Sequence, residues 1–433
     1  MILHSVTNQA VTASFAEAVD RGIADDGGLF LPVMLPPVPR DFFESARTLS
    51  FQEIAYRLSV LLLHEEIPEG ALLRIVSQSM TFPVPLHGLD DTTFVLELFH
   101  GPTLAFKDFG ARFMARILAY LHRNDSRELT ILVATSGDTG SAVASGFLNV
   151  DGMKVILLYP SGRVSAIQEM QLTTFGGNVT ALEVDGAFDD CQALVKQAFA
   201  DRELRSRKQL TSANSINIAR LLPQAFYYFN AFARISSRKL PVVFSVPSGN
   251  LGNLTAGLIA GQMGLPVHRF IAATNANQVI PRFLETGEFI PAPSIPTISN
   301  AMDVGNPSNF ARINALFGGS VEAIRRVLFS ASFTDDETRR EIEETYGTNG
   351  YILDPHGAVA SLALRRYRAG SSEPVNGILL ETAHPAKFLD VYSGSLRKRI
   401  HVPERLRASM QGTKHSIRVS SVYSDLKSYL LSS

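Results

Sequence analysis

The sequence predicts an α/β protein with two parallel sheets, preceded by a mainly helical N-terminal region. Strand candidates rich in β-branched residues alternate with helix candidates from about residue 118 to residue 381, which is typical of βαβ units. Two of these strands run into glycine-containing loops and then into helix-like segments. In parallel sheets, ligands collect at such strand ends.

The N-terminal region contains proline-rich punctuation at residues 31–39 and helix-like segments such as residues 51–58. After it, apolar residues recur every fourth position on one face of a helix that begins near Asp108. These residues are Phe109, Phe113, Ile117 and Leu121.

Two βαβ series follow. The first has strand candidates at 129–134, 154–159 and 178–184 and helix candidates at 164–175 and 187–200; the second has strands at 242–246, 268–273 and 377–381. We therefore predict four parts: an N-terminal domain (1–92), a large α/β domain (93–117 and 235–403), a small α/β domain (118–234) and a C-terminal tail (404–433). The tail is polar and serine-rich, and the sequence predicts no definite structure for it.

Composition excludes several functional classes. The 433 residues include 40 basic and 41 acidic side chains, a balance that offers no general attraction to nucleic acid or to a membrane surface. Cys191 is the only cysteine, so no intramolecular disulfide forms and a reducing compartment suits the chain. The start does not resemble a signal peptide, and no apolar run approaches the roughly 20 residues that span a bilayer. We expect a cytoplasmic enzyme.

Lys107 stands at the end of an apolar stretch in residues 99–108. Apolar surroundings disfavour the charged ammonium and lower its pKa, which prepares a lysine to act as an amine nucleophile. The alternative is a solvated lysine at the start of a helix.

Residues 246–253, here called the glycine loop, join a strand candidate to a helix candidate. Gly249 and Gly252 allow backbone N–H groups to converge on an anion at the helix N-terminus. The loop lacks the Lys-Ser/Thr ending of a nucleotide P-loop and the three-glycine spacing of a dinucleotide site. A phosphate monoester fits, and a tight turn that binds nothing is the alternative.

Residues 134–141 form a second such junction. Thr135, Ser136 and Thr139 carry hydroxyls at a strand end, where they could hold a carboxylate. They could equally be ordinary helix N-caps.

An amine nucleophile, a phosphate cradle and a carboxylate clamp together are the parts that hold pyridoxal phosphate and an amino acid. The chain resembles the threonine synthase family, in its branch with a long N-terminal domain. The resemblance implies the fold-type II, tryptophan synthase β-like fold of pyridoxal-phosphate enzymes. The matching segments follow the family order: 96–110, 134–140, 212–217, 246–250 and 382–388.

The resemblance implies a role for each candidate residue. Lys107 binds the cofactor covalently and moves protons at Cα and Cβ. The other cofactor-binding residues are Asp138 at the ring edge, Thr382 at the pyridine nitrogen, and Gly249, Asn250, Leu251, Gly252 and Asn253 at the phosphate. The substrate-binding residues are His100, Thr135, Ser136, Gly137, Thr139, Ser161, Arg163 and Asn214.

Two of these roles have open alternatives. Some relatives carry asparagine in place of Asp138, and an ionised Asp138 could not donate a hydrogen bond to the ring oxygen. Thr382 would donate a hydrogen bond without delivering a full proton, which keeps the ring a weaker electron sink and favours elimination and replacement. Its alternative is a strand-end hydroxyl bonded to the backbone.

The implied reaction removes phosphate from O-phospho-L-homoserine and adds water at Cβ to give L-threonine, the last step of threonine biosynthesis. The second phosphate needs its own contacts, and Arg163 with Ser161 is a candidate that could instead be a solvated turn residue. His356 and His384 line the site or are structural. Asp354 and His356 lack the number and spacing of zinc ligands, so no metal is expected.

Two other functions remain in view. A threonine or serine dehydratase shares the lysine and the glycine loop, although the N-terminal region and residues 382–385 count against it. A relative without catalysis is the other, against which the intact Lys107 and both loops count. A monomer and a homodimer remain equally open.

Overall fold

The computed structural model describes residues 1–135, 137–235 and 239–432. Within them, the strands form sheets of three, six and five strands. The two larger sheets are parallel apart from one edge pair, and helices connect their strands. The predicted α/β class with two parallel sheets is confirmed.

The N-terminal region contains a small antiparallel sheet that the sequence did not predict. Its elements are β1 (Ile2–Ser5), β2 (Thr12–Ser14), α1 (Phe15–Arg21), β3 (Phe30–Pro32), α2 (Phe42–Ser45), α3 (Phe51–Leu63) and α4 (Glu69–Ser79). The strands have only three or four residues, too few for a periodic pattern to show. Helices α1 and α3 both begin with a Ser/Glu capping box.

The middle of the chain follows the predicted alternation. Its elements are β4 (Leu86–Gly88), β5 (Thr93–Glu97), α5 (Lys107–Leu121), β6 (Leu129–Ala134), α6 (Asp138–Phe147), β7 (Met153–Pro160), α7 (Ala166–Thr173), β8 (Val179–Asp185), α8 (Phe188–Ala200), α9 (Arg202–Arg207), β9 (Gln209–Thr211), α10 (Ile218–Leu221) and α11 (Gln224–Arg234).

The last part completes both larger sheets. Its elements are β10 (Val242–Pro247), α12 (Gly252–Gln262), β11 (Arg269–Thr274), α13 (Val279–Thr286), α14 (Phe310–Leu316), α15 (Val321–Val327), β12 (Leu328–Ser332), α16 (Asp335–Asn349), α17 (Pro355–Ala369), β13 (Asn376–Glu381), α18 (Gly394–Arg397), α19 (Glu404–Gln411), β14 (Ile417–Ser420) and α20 (Tyr423–Ser432). Short 3₁₀ turns lie at Asn300–Met302 and Pro385–Phe388.

The six-stranded sheet has the order β12-β11-β10-β13-β5-β4. From β10 the chain continues to β11 and β12 on one side, while β13 and β5 lie on the other. This is a topological switch point, where parallel sheets place their ligand sites beyond the carboxyl ends of the strands. The carboxyl ends of β5, β13 and β10 lead directly into the segments with Lys107, Thr382 and the glycine loop.

The five-stranded sheet has the order β14-β8-β7-β6-β9. Its inner strand β6 and the central strands β10 and β13 of the larger sheet are buried along their whole length. Strands buried on both faces read as continuous apolar runs, which explains why these strands were easy to predict.

Residues 404–432, whose structure the sequence left open, form α19, β14 and α20. Strand β14 pairs in parallel with β8, from Ile417 opposite Leu182. Leu426 and Leu430 of α20 are buried in one cluster with Cys191 and Leu194 of α8. The tail therefore covers an edge of the five-stranded sheet, and only the tertiary fold reveals its partner.

No helix among the described residues is long and apolar enough to cross a membrane. The same residues contain no group of three or more His, Cys, Asp or Glu side chains that could hold a metal ion. The boundaries of the four predicted parts stay a prediction.

We predict that Leu426→Ala destabilises the edge of the five-stranded sheet by about 2–5 kcal/mol, because it leaves a cavity beneath a fully buried side chain. Hydrogen exchange of the β8 amides measures this change. Leu73→Ala is the control: Leu73 lies on α4 and is 52% exposed, so its truncation should cost less than about 0.5 kcal/mol. Equal protection of β8 in both variants would contradict the packing role of α20.

Candidate active site

The segment from Leu98 to Phe106, here called the lysine loop, delivers Lys107 to the first position of α5. Its backbone runs beside residues 381–384: Phe106 N donates to Thr382 O (2.9 Å) and His384 N donates to Leu104 O (3.0 Å). Leu104 is fully buried with φ +60°, a conformation that costs a bulky residue energy. The fold therefore brings Lys107 and Thr382, distant in sequence, side by side.

Lys107 is prepared as a nucleophile. Burial is the largest cause that lowers the pKa of its ammonium; Asp138 opposes burial, Lys387 and Arg220 add to it, and the net pKa is about 8. In the described part of the chain its Nζ takes part in no hydrogen bond. Roughly one tenth of the amine is therefore neutral at pH 7, and the fraction rises steeply above it.

Asp138, at the start of α6, forms a buried ion pair with Lys387. The Lys387 Nζ lies 2.6 Å from Asp138 Oδ1 and also donates to Thr103 O (3.1 Å), and Gln168 donates to the same carboxylate oxygen (3.1 Å). Burial alone would raise the pKa of Asp138, but Lys387 and Lys107 outweigh burial and hold the pKa far below its usual value. Asp138 is thus an ionised hydrogen-bond acceptor.

Lys387 was given no role by the sequence analysis, although it lies in the matching segment 382–388. The sequence did contain a signal for a buried lysine, because Lys387 stands between the apolar residues Ala386 and Phe388. A lysine that is buried there needs an opposite charge beside it. Its partner is 249 positions away in the chain, so only the fold identifies it as Asp138.

The first turn of α5 is locked to the lysine loop by Asp108. This fully buried carboxylate accepts from Thr103 N and Thr103 Oγ1, both at 2.8 Å. Burial raises its pKa to about 6. A Cβ added at Gly101 would lie 2.4 Å from Asp108 Oδ2, so glycine is required for this close approach.

The glycine loop presents unused backbone donors. Leu251 has φ +61°, and α12 begins at Gly252. Among the described residues, no hydrogen-bond acceptor faces the N–H groups of residues 249–253, as expected at a helix N-terminus awaiting an anion. A phosphate group of a cofactor fits these donors.

The side chains of the glycine loop serve the loop itself. Asn250 Nδ2 donates to Ser215 Oγ (2.9 Å), and its Oδ1 accepts from Ser308 N (2.7 Å). Asn253 Oδ1 accepts from the hydroxyls of Tyr227 (2.6 Å) and Tyr228 (2.7 Å). Among the described residues, the backbone N–H groups of residues 249–253 and the buried Asn253 Nδ2 have no hydrogen-bond acceptor.

Thr382 completes the arrangement. It is 6% exposed, its carbonyl holds Phe106, and its hydroxyl makes no hydrogen bond within the described residues. Three groups at one sheet edge match three parts of pyridoxal phosphate. The free hydroxyl of Thr382 matches the pyridine nitrogen, the Lys107 amine of lowered pKa matches the aldehyde, and the free backbone N–H groups of the glycine loop match the phosphate. The residues present therefore fit this cofactor.

The two histidines left open by the sequence have structural partners. His356 Nδ1 donates to Asp354 Oδ1 (2.5 Å), and its Nε2 accepts from Ala301 N (3.2 Å). Asp354 also accepts from Ala383 N, next to Thr382. The Asp354–His356 pair therefore connects residues 382–383 to the Asn300–Met302 turn, which packs against Gly249. Burial lowers the pKa of His384 to about 4, and its neutral ring caps the 385–388 turn.

In the predicted carboxylate clamp, the Thr135 hydroxyl accepts from Gly137 N (3.1 Å) and Gly140 N (2.8 Å). It therefore shapes the turn before α6. Gly137 has φ +146°, and an added Cβ would lie 2.7 Å from Gln168. Thr139 is partly buried without a side-chain hydrogen bond in the described part of the chain, and Ser136 lies outside the described residues.

The remaining substrate candidates lie in three places. His100 is partly exposed, with Nε2 2.7 Å from Glu97 Oε2 at the end of β5. Ser161 donates to Glu183 (2.6 Å), and Arg163 is exposed without an ion pair among the described residues. Asn214 precedes Ser215, which contacts the glycine loop. The side-chain oxygen of Asn214 is buried and has no hydrogen-bond donor among the described residues. Their roles toward the substrate stay predictions.

Comparison with known proteins agrees with this geometry. Three family models match: the threonine synthase N terminus at residues 3–80, the pyridoxal-phosphate dependent enzymes at 81–379, and the threonine synthase C-terminal region at 357–430. The threonine synthase of Serratia marcescens is 43% identical over 100% of this chain and 99% of its own length. That of Escherichia coli strain K12 is also 43% identical, over 96% of each chain.

Solved structures extend the likeness to three dimensions. Threonine synthase from Escherichia coli superposes with a TM-score of 0.91 at 40% identity, covering 100% of both chains. Pyridoxal-phosphate-bound threonine synthase from Brucella melitensis gives 0.91 at 35% identity, covering 100% of this chain and 99% of that one. Pyridoxal phosphate is thus the cofactor, the predicted fold-type II class is confirmed, and the chain belongs to the threonine synthase family.

Proposed function

We propose that this chain converts O-phospho-L-homoserine and water to L-threonine and phosphate, with Lys107 as the amine that binds the cofactor and moves protons. The position of Lys107 carries the proposal: an amine with a pKa near 8 lies beside Thr382, at the same sheet edge as the free amides of the glycine loop. When bound, pyridoxal phosphate supplies an electron sink that delocalises negative charge at Cα of an amino acid.

The residues of the proposed cofactor site would contact different parts of the cofactor. Lys107 would hold its aldehyde carbon through Nζ, and the backbone N–H groups of residues 249–253 would bind its phosphate. The Thr382 hydroxyl would donate to the pyridine nitrogen. A hydroxyl in that place would not give up its proton, which would favour elimination and replacement over transamination.

Proton movement depends on the charges around Lys107. Its neutral amine, once released by the incoming substrate, accepts a proton from Cα and then serves as base and acid at Cβ. Asp138 stabilises the ammonium that forms. Lys387 keeps Asp138 ionised, so that the transferred proton resides on Lys107 and not on the carboxylate.

The substrate carboxylate is assigned to the start of α6. Since the Thr135 hydroxyl and the Gly137 N–H are bonded to each other within the turn, Thr139 and the backbone N–H groups of Asp138 and Thr139 at the start of α6 are the better-supported contacts. For the departing phosphate, His100, Ser161, Arg163 and Asn214 remain the candidates. The anionic Glu183 beside Ser161 weakens the case for that loop.

We retain the predicted domains as part of the proposal. Lys107, Thr382 and the glycine loop then come from the large domain (93–117 and 235–403), and residues 135–139 come from the small one (118–234). The substrate would bind between them. Movement of one domain against the other would admit water at one stage and exclude it at another.

Lys107→Ala should abolish the absorbance band of the bound cofactor and lower the rate of threonine formation by about 100-fold or more, because nucleophile and base are removed together. The measurement records absorbance before and after addition of O-phospho-L-homoserine, and assays phosphate and threonine in the same sample. Lys196→Ala, an exposed lysine of α8, is the control and should behave as wild type.

Equal amounts of phosphate and threonine, dependent on Lys107, support the proposed reaction. A cofactor band without these products would refute it. Formation of a 2-oxo acid from threonine or serine would indicate a dehydratase instead.

Lys387→Met should raise the pKa of Lys107, because it removes a repelling charge and leaves Asp138 to stabilise the ammonium. A protonated amine does not react with an aldehyde. The rate at which the apoenzyme binds pyridoxal phosphate covalently should therefore rise with pH through about 8 in the wild type. In the variant this rise should occur at higher pH.

Stopped-flow absorbance between about pH 7 and pH 9.5 measures this rate across the range in which Lys107 titrates. Lys196→Met serves as the control and should leave the profile in place. A profile for Lys387→Met that is unshifted or moves to lower pH would refute the electrostatic role of Lys387.

A further inference from the structure

Arg312 of α14 is a fully buried arginine. It is 0% exposed, and no carboxylate in the described part of the chain lies within ion-pair distance. Its guanidinium donates only to neutral oxygens: Nε to Phe30 O (3.0 Å), Nη1 to Ser215 O (3.1 Å) and Asn309 Oδ1 (2.8 Å), and Nη2 to Ile216 O (2.5 Å).

Such a charge is costly, because hydrogen bonds to carbonyls replace water but leave the positive charge uncompensated in a low-dielectric interior. Burial lowers the pKa of Arg312 to about 9, with no acidic group offsetting it. A leucine or methionine would fill the same space at lower cost. The charge therefore requires an explanation beyond packing.

The partners of Arg312 lead directly to the glycine loop. Asn309 also donates from Nδ2 to Asn250 O (3.0 Å), and Ser215 accepts from Asn250 Nδ2 (2.9 Å). A Cβ added at Gly252 would meet Ser215 at 3.4 Å and Asn309 at 3.6 Å. Arg312 thus lies behind the loop, separated from it by one layer of side chains.

We propose that Arg312 is the buried counter-charge for the phosphate group that binds the glycine loop, and that it acts as a positioning residue through Asn309 and Ser215. The proposal rests on the proposed cofactor site. Amides donate hydrogen bonds but carry no net charge, so the dianionic phosphate needs a cation nearby. Arg312 supplies this charge without occupying the site.

The bond to Phe30 gives the N-terminal region a part in the same function. Phe30 begins β3 of the small antiparallel sheet, and its carbonyl accepts from Arg312 Nε. The N-terminal region thereby supplies one of the acceptors that hold the guanidinium in place.

The test compares the affinity of the apoenzyme for pyridoxal phosphate with its affinity for pyridoxal, which has the same aldehyde and ring but no phosphate. Absorbance titration gives both dissociation constants without any turnover. Arg312→Gln keeps some hydrogen-bond donors and removes the charge. It should weaken pyridoxal phosphate binding by about tenfold or more and change pyridoxal binding little.

Two further variants separate charge from structure. Arg312→Lys keeps the charge and loses the fork of donors, so it should preserve most of the preference for the phosphorylated ligand. Arg234→Gln is the matched control: Arg234 also donates to carbonyls of the N-terminal region, at Ala46, Arg47 and Leu49, but does not contact the glycine loop. It should leave both affinities unchanged.

The proposal would be overturned if Arg312→Gln lost equal affinity for pyridoxal phosphate and pyridoxal. It would also be overturned if the Gln and Lys variants showed the same ratio of affinities for the two ligands. If Arg312→Gln does not fold, Asn309→Asp answers the same question, because it gives the guanidinium an internal counter-ion. Weaker binding of pyridoxal phosphate alone is expected, and parallel losses would overturn the inference. Failure of the proposed cofactor site would appear separately, as a wild-type protein that binds neither ligand through Lys107, and failure of the proposed reaction as a wild-type protein that binds pyridoxal phosphate but forms no threonine.

Discussion

The active site depends on the backbone pairing between the lysine loop and residues 381–384. Leu98 N bonds to Glu381 O, Phe106 N to Thr382 O, and His384 N to Leu104 O. This pairing sets the distance between the Lys107 amine and the Thr382 hydroxyl. Leu104 accepts a left-handed conformation to make it possible, and full burial of its side chain offsets the strain.

Around this pairing the site contains three buried charged groups whose effects are interdependent. Lys387 holds Asp138 in its ionised form, and Asp138 in turn limits how far burial lowers the pKa of Lys107. Without Lys387, Asp138 would act on the Lys107 ammonium with less opposition and the pKa of that ammonium would rise; without Asp138, burial and the remaining positive charges would lower it further. The balance between desolvation and these charges places the pKa of Lys107 near 8.

The phosphate end of the site works by a different principle. The glycine loop offers backbone donors, while its own side chains are used to hold its shape. In our proposal the positive charge comes from Arg312, whose guanidinium is connected to the loop through Ser215 and Asn309. The two ends are connected structurally by the Asp354–His356 pair, which contacts both Ala383 and Ala301.

Sequence alone determined the sheet class and most strands of the two parallel sheets, because buried parallel strands are local patterns; the glycine-containing strand ends also indicated where the site lies, and the roles of its residues stay predictions. It did not identify the short strands β1 to β3 or the fold of residues 404–432, whose stability comes from distant partners. It also could not assign Lys387 or Arg312. The role of a buried charge depends on what lies opposite it, and for Lys387–Asp138 and Arg312–Phe30 only the tertiary structure decides that.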